Sequence, residues 1–466
     1  MALFGFRVLI FLLARCDLLS RASRWWREPF LLASAVLLGL MFYCSLRVLV
    51  PFERAAADSA GAPRGNLSDL YPRWIGAREV LLHGEDPYSV DVTQKIQAGY
   101  YGRLLDPARP GDPKDEQRFA YPLYVVFFLA PFIHLPFETV QHIFTVLLGF
   151  LCAWSVVLWP ESLGLCWSAA TKTAVVLLTF STLQVMQGLA RLQLSLLVFA
   201  FVSFGVWFMA KDQLWLGGFA FAAATIKPQL VLLPIAFLVL WASVCRARRT
   251  FLLSFAPGMT ILFVGADLLQ HGWIFRFLSG ARAYHKYAAG SILDFILPPI
   301  AAWTIACIIV AMALGIFWRV RESESNSPDF RVALALAMAV TTVVVPIGGG
   351  YNQLFVLPGL FVLVANRARF QSGKLSDVVL FWSPWIVLAL PWIAALVAIC
   401  WHALNRVNTI VYRIPYMFAF VLPFFVLAAM SAIVLKSCYG ARGRTLPSVA
   451  SVVSGRSENA VEQRSR

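Results

Sequence analysis

LWLGGFAFAAATIKPQLVLLPIAFLVLWASV, residues 214–244, contains a single charged side chain, Lys227. Two apolar runs, 214–226 and 229–244, meet at Ile226-Lys227-Pro228-Gln229, where the proline interrupts any continuous helix. Apolar runs bounded by short polar turns recur outward from this stretch, at about 30–51, 121–135, 138–159, 172–187, 192–210, 251–270, 292–317, 331–347, 352–366, 377–400 and 410–435. A helix crosses the hydrocarbon core with about 20 apolar residues. The pattern therefore predicts an all-α polytopic membrane protein.

Composition agrees. The chain of 466 residues is 60% hydrophobic and 14% charged, against a usual charged share of roughly 25%. Mean hydropathy is +0.73. So few charges cannot clothe the surfaces of about three soluble domains, which excludes a soluble enzyme, a disordered scaffold and a nucleic-acid binder. The net charge of +15 fits Lys and Arg gathered in cytoplasmic loops against anionic headgroups. Eight cysteines show no CxxC and no Cys/His cluster, so neither a disulfide framework nor a zinc site is expected.

Positive-inside reasoning sets the topology. Arg15, Arg21, Arg24 and Arg27 precede the first apolar run, which places residues 1–29 in the cytoplasm or at its interface, with a short interfacial helix around Leu9–Leu13. A first transmembrane helix over 30–51 then delivers residue 52 outside. Residues 52–118 form an extracytoplasmic loop domain. They hold 11 of the 24 acidic residues and turn signals such as Asp86-Pro87 and Asp112-Pro113, and Leu70–Leu82 has helical spacing with Trp74, Ala77, Val80 and Leu81 on one side. Residues 119–435 form a multi-helix transmembrane domain whose cytoplasmic loops are Arg246–Arg249, 318–331 and 366–374. Residues 436–466 read as a disordered cytoplasmic tail. An inside N-terminus and an inside tail require an even number of crossings, so of thirteen runs one between 121 and 187 fails to span. The short runs 121–135 and 172–187 are the candidates, giving about 12 crossings (11–13).

Polar residues on the outer side divide between chemistry and structure. Asp69 suits a general base or a helix cap. Asp86, in Gly84-Glu-Asp-Pro-Tyr88, suits an Asx turn or a substrate contact shared with Tyr88. Tyr121 belongs either to an aromatic belt or to a substrate platform. Lys227 is costly at membrane depth unless paired, which marks a functional residue; its alternative is to snorkel to the headgroups. Arg191 and Gln193 serve a phosphate and a sugar hydroxyl or act as interhelical glue. Arg282 and Lys286 lie in a loop of mixed cations and aromatics, and Tyr351 and Asn352 cap a glycine-rich turn. No GxxxxGK[ST] and no GxGxxG after a strand appears, which fits an outward-facing site away from cytoplasmic nucleotides.

Taken in order, Asp69-Leu-Tyr71, Leu81-Leu-His-Gly-Glu-Asp-Pro-Tyr88, Phe119-Ala-Tyr-Pro122, Gln193-Leu-Ser195, Gly217-Gly218 leading to Ile226-Lys-Pro228, and Pro346…Tyr351-Asn-Gln353 resemble glycosyltransferase family 87, polyprenyl-phosphate-mannose-dependent mannosyltransferase-like membrane proteins, over about residues 65–365. The chain departs from the family pattern in reading Leu192-Gln-Leu-Ser195 for Gly-Gln-x-Asn, and Tyr-Pro-Leu where a second proline is common. The resemblance implies a GT-C type fold in the cell (inner) membrane with its active site on the extracytoplasmic face. It implies a polyprenyl-phosphate sugar donor, mannose by the family's name, and a hydroxyl acceptor on an envelope glycan, glycolipid or protein. It maps a catalytic acid onto Asp69 and a phosphate-side lysine onto Lys227. The chemistry itself asks for further cations at the departing phosphate, for which Arg191, Arg282 and Lys286 are the candidates, while Asp86, Tyr88, Tyr121, Gln193, Tyr351 and Asn352 are the candidate substrate contacts. Such a transfer inverts the anomeric carbon and requires no cofactor, although the acidic loop has the residues to hold a divalent metal. A lipid-linked sugar transporter that forms no bond is the alternative, although no internal repeat of the kind transporters often carry is evident.

Overall fold

The computed structural model describes residues 29–59, 68–106, 108–109, 111–284, 290–346, 349–370, 374–404 and 409–442. Within them the chain is helical, without a strand. The first apolar run gives α1 (Pro29–Cys44), a π turn (Ser45–Leu49) and α2 (Val50–Ser59) in unbroken succession. The helix thus continues eight residues past the expected boundary at 51, because no proline or glycine stands between Pro51 and Ser59 to stop it. The acidic stretch then supplies α3 (Tyr71–Arg78), a second π turn (Glu79–His83) and α4 (Val90–Tyr101). Next come α5 (Val125–Leu129), α6 (Phe137–Ser162), α7 (Ala169–Phe180), α8 (Leu183–Ala190), α9 (Leu194–Ala210), α10 (Leu214–Ala224), α11 (Pro228–Val244), α12 (Arg249–Leu269) and α13 (Trp273–Tyr284). The last five are α14 (Pro299–Val320), α15 (Pro328–Val344), α16 (Leu357–Ala365), α17 (Leu375–Ala403) and α18 (Thr409–Arg442).

Six helices are long and apolar enough to cross a membrane, or seven when α7 and α8, bent by 66°, count as one span. Shorter apolar helices of 10–17 residues (α9, α10, α11 and Gly350–Ala365) complete the set. The run at 121–135 is a five-residue helix followed by a 3-10 turn, too short to cross. The expected tail boundary at 436 also moves, since α18 runs through Arg442. The proposed interfacial helix near Leu9–Leu13 and the tail beyond 442 lie outside the described residues.

Length and burial divide the helices into two classes. α15 is buried on every face from Val332 to Val343, and α9 is buried along most of its length; a helix apolar all round belongs in an interior. The long spans surround them and keep large apolar side chains exposed, among them Ile261, Leu268, Ile300, Trp303 and Ile386, as a lipid-facing surface requires. Small residues bring helices close. Gly218 on α10 faces the Ser254 side chain and the Phe251 carbonyl of α12, with no room for a Cβ.

The polar loops collect at two opposite ends of the bundle. At one end Arg248 donates to the carbonyls of Arg321 (2.9 Å) and Glu322 (2.8 Å), Arg369 lies 3.9 Å from Asp329, and Lys436 pairs with Asp377 at 2.6 Å. This basic end joins all three arginine-rich loops. At the other end α3 and α4 form a small lobe, packed on α5 and α6 through Trp74, Phe119 and Phe137. Within it Lys95 lies 2.6 Å from Glu79, and His83 Nδ1 lies 3.1 Å from the same carboxylate. Burial alone would raise the Glu79 pKa, but the hydrogen bonds from Lys95 and His83 outweigh it and hold the carboxyl below its ordinary value.

Two outcomes follow from this packing. Gly218→Val is expected to cost about 1–3 kcal/mol through overpacking, read as a lower melting temperature in detergent; an unchanged temperature would refute the close approach. Glu79 contributes stability above the ordinary carboxylate pKa and loses it as pH falls through its lowered value. Amide exchange across residues 71–101 should therefore quicken below about pH 4, and Glu79→Gln should remove that pH dependence.

Candidate active site

Three breaks in the apolar helices meet beneath the lobe. The first lies between α8 and α9, where Leu192 takes a left-handed conformation (φ 49°). This bend turns the Arg191 carbonyl toward the amide of Asp69, which donates to it at 3.0 Å. The next residue, Gln193, donates its Nε2 to Asp69 Oδ2. The second break is the α10–α11 turn, which presents Lys227 just ahead of Pro228. The third is the 3-10 segment Gly350–Val356, wholly buried, which presents Tyr351 and Asn352.

Lys227 is the centre of the arrangement. It is 6% exposed, so it does not snorkel to the surface. Its Nζ donates to Ser195 Oγ at 2.6 Å and Asn352 Oδ1 at 2.9 Å, with Gln193 Oε1 at 3.5 Å. Ser195 Oγ also donates to Asn352 Oδ1 at 2.6 Å. The amine lies 5.1 Å from the centre of the Tyr351 ring. All three hydrogen-bond partners are neutral oxygens. A lysine so buried carries its charge cheaply only when an anion joins it.

Asp69 stands at the other end of the Gln193 amide. Helix α3 has no side-chain cap, so the capping alternative for Asp69 gives way to the contact with Gln193. Arg73 donates to the Asp69 carbonyl at 2.7 Å and covers the Tyr121 ring at 4.7 Å. Sequence reasoning passed over Arg73; its spacing of one helical turn from Asp69 was the available signal. Arg191 opens onto solvent, in electrostatic reach of Asp69, Tyr351, Glu53 and Tyr100. Glu53 also escaped the sequence reading, because it was assigned to the loop beyond the first span; the continuous α1–α2 helix carries it here.

Other expected residues take supporting places. Asp86 Oδ1 accepts from the Tyr88 amide at 3.0 Å, the Asx-turn arrangement, and Oδ2 pairs with Arg276 at 2.7 Å. Tyr88 donates its hydroxyl to the Tyr121 carbonyl at 2.7 Å, so it braces Tyr121 from behind. Arg282 is exposed on α13, and among the described residues no hydrogen bond or ion pair joins it to the Asp69–Lys227 network. Lys286 lies outside the described residues. Among the described residues no group of three or more His, Cys, Asp or Glu is placed to hold a metal.

A carboxylate, a buried amine and a nearby guanidinium, gathered at broken helices in an apolar bundle, suit a reaction that takes a proton from a hydroxyl and neutralises an anion. The model of glycosyltransferase family 87 matches residues 119–347. This region belongs to glycosyltransferase family 87. Membership of this region in the family implies a membrane glycosyltransferase, which takes a sugar donor and an acceptor. No curated protein and no solved structure matches the chain. The family 87 match includes Tyr121, Arg191, Gln193 and Lys227 and stops short of Asn352. It begins after Asp69, so it is narrower than the span of motifs read from the sequence, and Asp69 enters the family 87 region through its contacts with Arg191 and Gln193.

Gln193→Ala removes the amide that joins Asp69 to Lys227 while leaving α9 intact. Transfer should fall roughly a hundredfold, the scale of a small misplacement of a reacting group, with the melting temperature within a few degrees of wild type. Undiminished transfer would show that the bridge positions nothing.

Proposed function

We propose that the chain moves a sugar from a polyprenyl-phosphate donor to a hydroxyl acceptor at the end of the bundle that carries Asp69. The observation that carries this reading is the single amide of Gln193 placed between Asp69 and Lys227. It sets a base and a buried cationic group side by side. Asp69 takes the proton of the acceptor hydroxyl. The acceptor oxygen bonds to the anomeric carbon, and the bond from that carbon to the donor phosphate oxygen breaks. The transition state has oxocarbenium character, as in other glycosyl chemistry. Lys227 and Arg191, with Arg73 beside them, stabilise the charge that develops on the departing lipid phosphate. One displacement inverts the anomeric carbon. Asn352 and Tyr351 hold Lys227, and the buried Tyr121 ring supports the Arg73 guanidinium.

A lipid-phosphate donor suits the setting. Its leaving group is already a phosphate at the membrane surface, and an apolar bundle can accommodate its chain. Positive-inside reasoning puts the end with Arg248, Arg321 and Arg369 in the cytoplasm, which leaves the lobe and Asp69 on the extracytoplasmic face of a cell (inner) membrane, in a GT-C type arrangement. Mannose is the sugar suggested by the family resemblance, with an envelope glycan, glycolipid or protein as acceptor.

The test is transfer by the full chain reconstituted in lipid vesicles, with radiolabelled polyprenyl-phosphate-mannose and a lipid and glycan extract as acceptor pool. Asp69→Asn is expected to lower turnover by about 10²–10⁴ without loss of folding. Lys227→Met should weaken use of the donor by at least about tenfold. Full turnover by Asp69→Asn would reject Asp69 as base. Labelled donor that crosses the vesicle without forming any product would reject transfer altogether.

A further inference from the structure

Away from Asp69, at the basic end of the bundle, α14 and α18 part above α15. Near the other end they approach each other across Val343, through Ala306, Ile309, Phe424 and Leu427. Below Val340 they diverge and leave a half-open cavity of about 550 Å³ walled by aliphatic side chains such as Ile316, Leu336 and Val434. Packed interiors contain few voids larger than a water molecule, and an apolar cavity of even 150 Å³ stays dry and takes up an apolar guest. The groove follows α15 from Val340 to Asp329, about 16 Å at the helical rise. That is about half the hydrocarbon thickness of a bilayer, the depth of one leaflet.

The rim is polar and carries both signs of charge. Arg319, Ser323, Asp329 and Ser431 line the basic end of the groove. Arg319 is exposed, and among the described residues no ion pair occupies it. Asp329 is half exposed, and among the described residues its ion-pair contact is a long one, 3.9 Å to Arg369. The loop between α14 and α15 is held in place, since Trp241 Nε1 donates to the Ser323 carbonyl at 2.8 Å and Arg248 binds the two preceding carbonyls. A cation and an anion on one fixed rim, above an apolar slot one leaflet deep, complement a headgroup that carries phosphate and ammonium together.

We propose that this groove binds one phospholipid of the leaflet at the basic end, an acyl chain lying along α15, its phosphate at Arg319 and a primary ammonium at Asp329. The site is separate from the glycosyl-transfer site, which lies at the opposite end of α15. The inference does not depend on the identity of the sugar donor.

Native mass spectrometry of the delipidated full chain tests it, with phosphatidylethanolamine, phosphatidylcholine and phosphatidylglycerol of identical acyl chains as probes. One phosphatidylethanolamine should be retained at least about tenfold more tightly than either of the others. Gly315 lines the groove with open space where its Cβ would stand, so Gly315→Trp should fill it and abolish retention with an unchanged melting temperature. Asp329→Lys, at an exposed position on the rim, should reverse the preference toward phosphatidylglycerol. Equal retention of all three lipids, unchanged binding by Gly315→Trp, or no reversal by Asp329→Lys would overturn the proposal. Displacement of phosphatidylethanolamine by polyprenyl phosphate would also overturn it and assign the groove to the donor chain.

Discussion

The hydrogen bonds of Lys227 to Ser195, Asn352 and Gln193 are the constraint on which the rest of the site depends. An amine taken out of water needs acceptors on several sides, and here they come from elements distant in sequence. Ser195 and Gln193 flank the start of α9, Asn352 comes from the buried 3-10 segment, and Lys227 sits at the head of α11. Satisfying one amine therefore fixes the relative placement of three helix breaks. The energy of holding those breaks together is met by the apolar helices around them, chiefly α15 and α9, which are buried on nearly every face.

The breaks also explain why several apolar runs are short. Non-helical backbone is tolerated at membrane depth only where protein covers it or a cavity receives it. At the α7–α8 bend the Ser181 carbonyl accepts from Trp392 Nε1, at the α10–α11 turn the Thr225 carbonyl accepts from the Tyr124 hydroxyl, and the Gly350–Val356 segment is wholly buried. The lobe of α3 and α4 closes over the same region. Its contacts with Tyr121 and Arg276 couple the placement of Asp69 to the packing of the spans, and the family 87 region acquires its carboxylate from a segment that precedes it.

Much of the helical architecture was legible in the sequence, because apolar run length and proline position govern where helices form and stop. Residues 228–244 and 137–162 fall within a residue or a few of the expected segments. The shortness of 121–135 marked it as a run that fails to span, and it is a five-residue helix with a 3-10 turn; the total number of crossings was less legible, because hydropathy does not separate short buried helices such as α9 and α10 from spanning ones. At the site, Lys227 stands out as a lone charge beside a helix break, and Gln193 and Asn352 lie in two other polar turns read onto the same side of the membrane. The contact of Asp69 with Gln193 spans 124 positions and has no local signature. Arg73 and Glu53 were missed for a related reason: each depends on how a helix continues and which way it faces.

Leu192 carries a consequence for how this site tolerates change. A left-handed residue other than glycine costs about 1–2 kcal/mol, whereas burying a leucine side chain returns about 1.5–3 kcal/mol, and Leu192 is 3% exposed. Glycine would relax the backbone but forfeit the contacts; a β-branched residue would keep some contacts but resist the turn. Drift at this position is confined between two opposing demands. The backbone that presents Gln193 is thus protected from gradual change by a neighbour that need not touch the substrate.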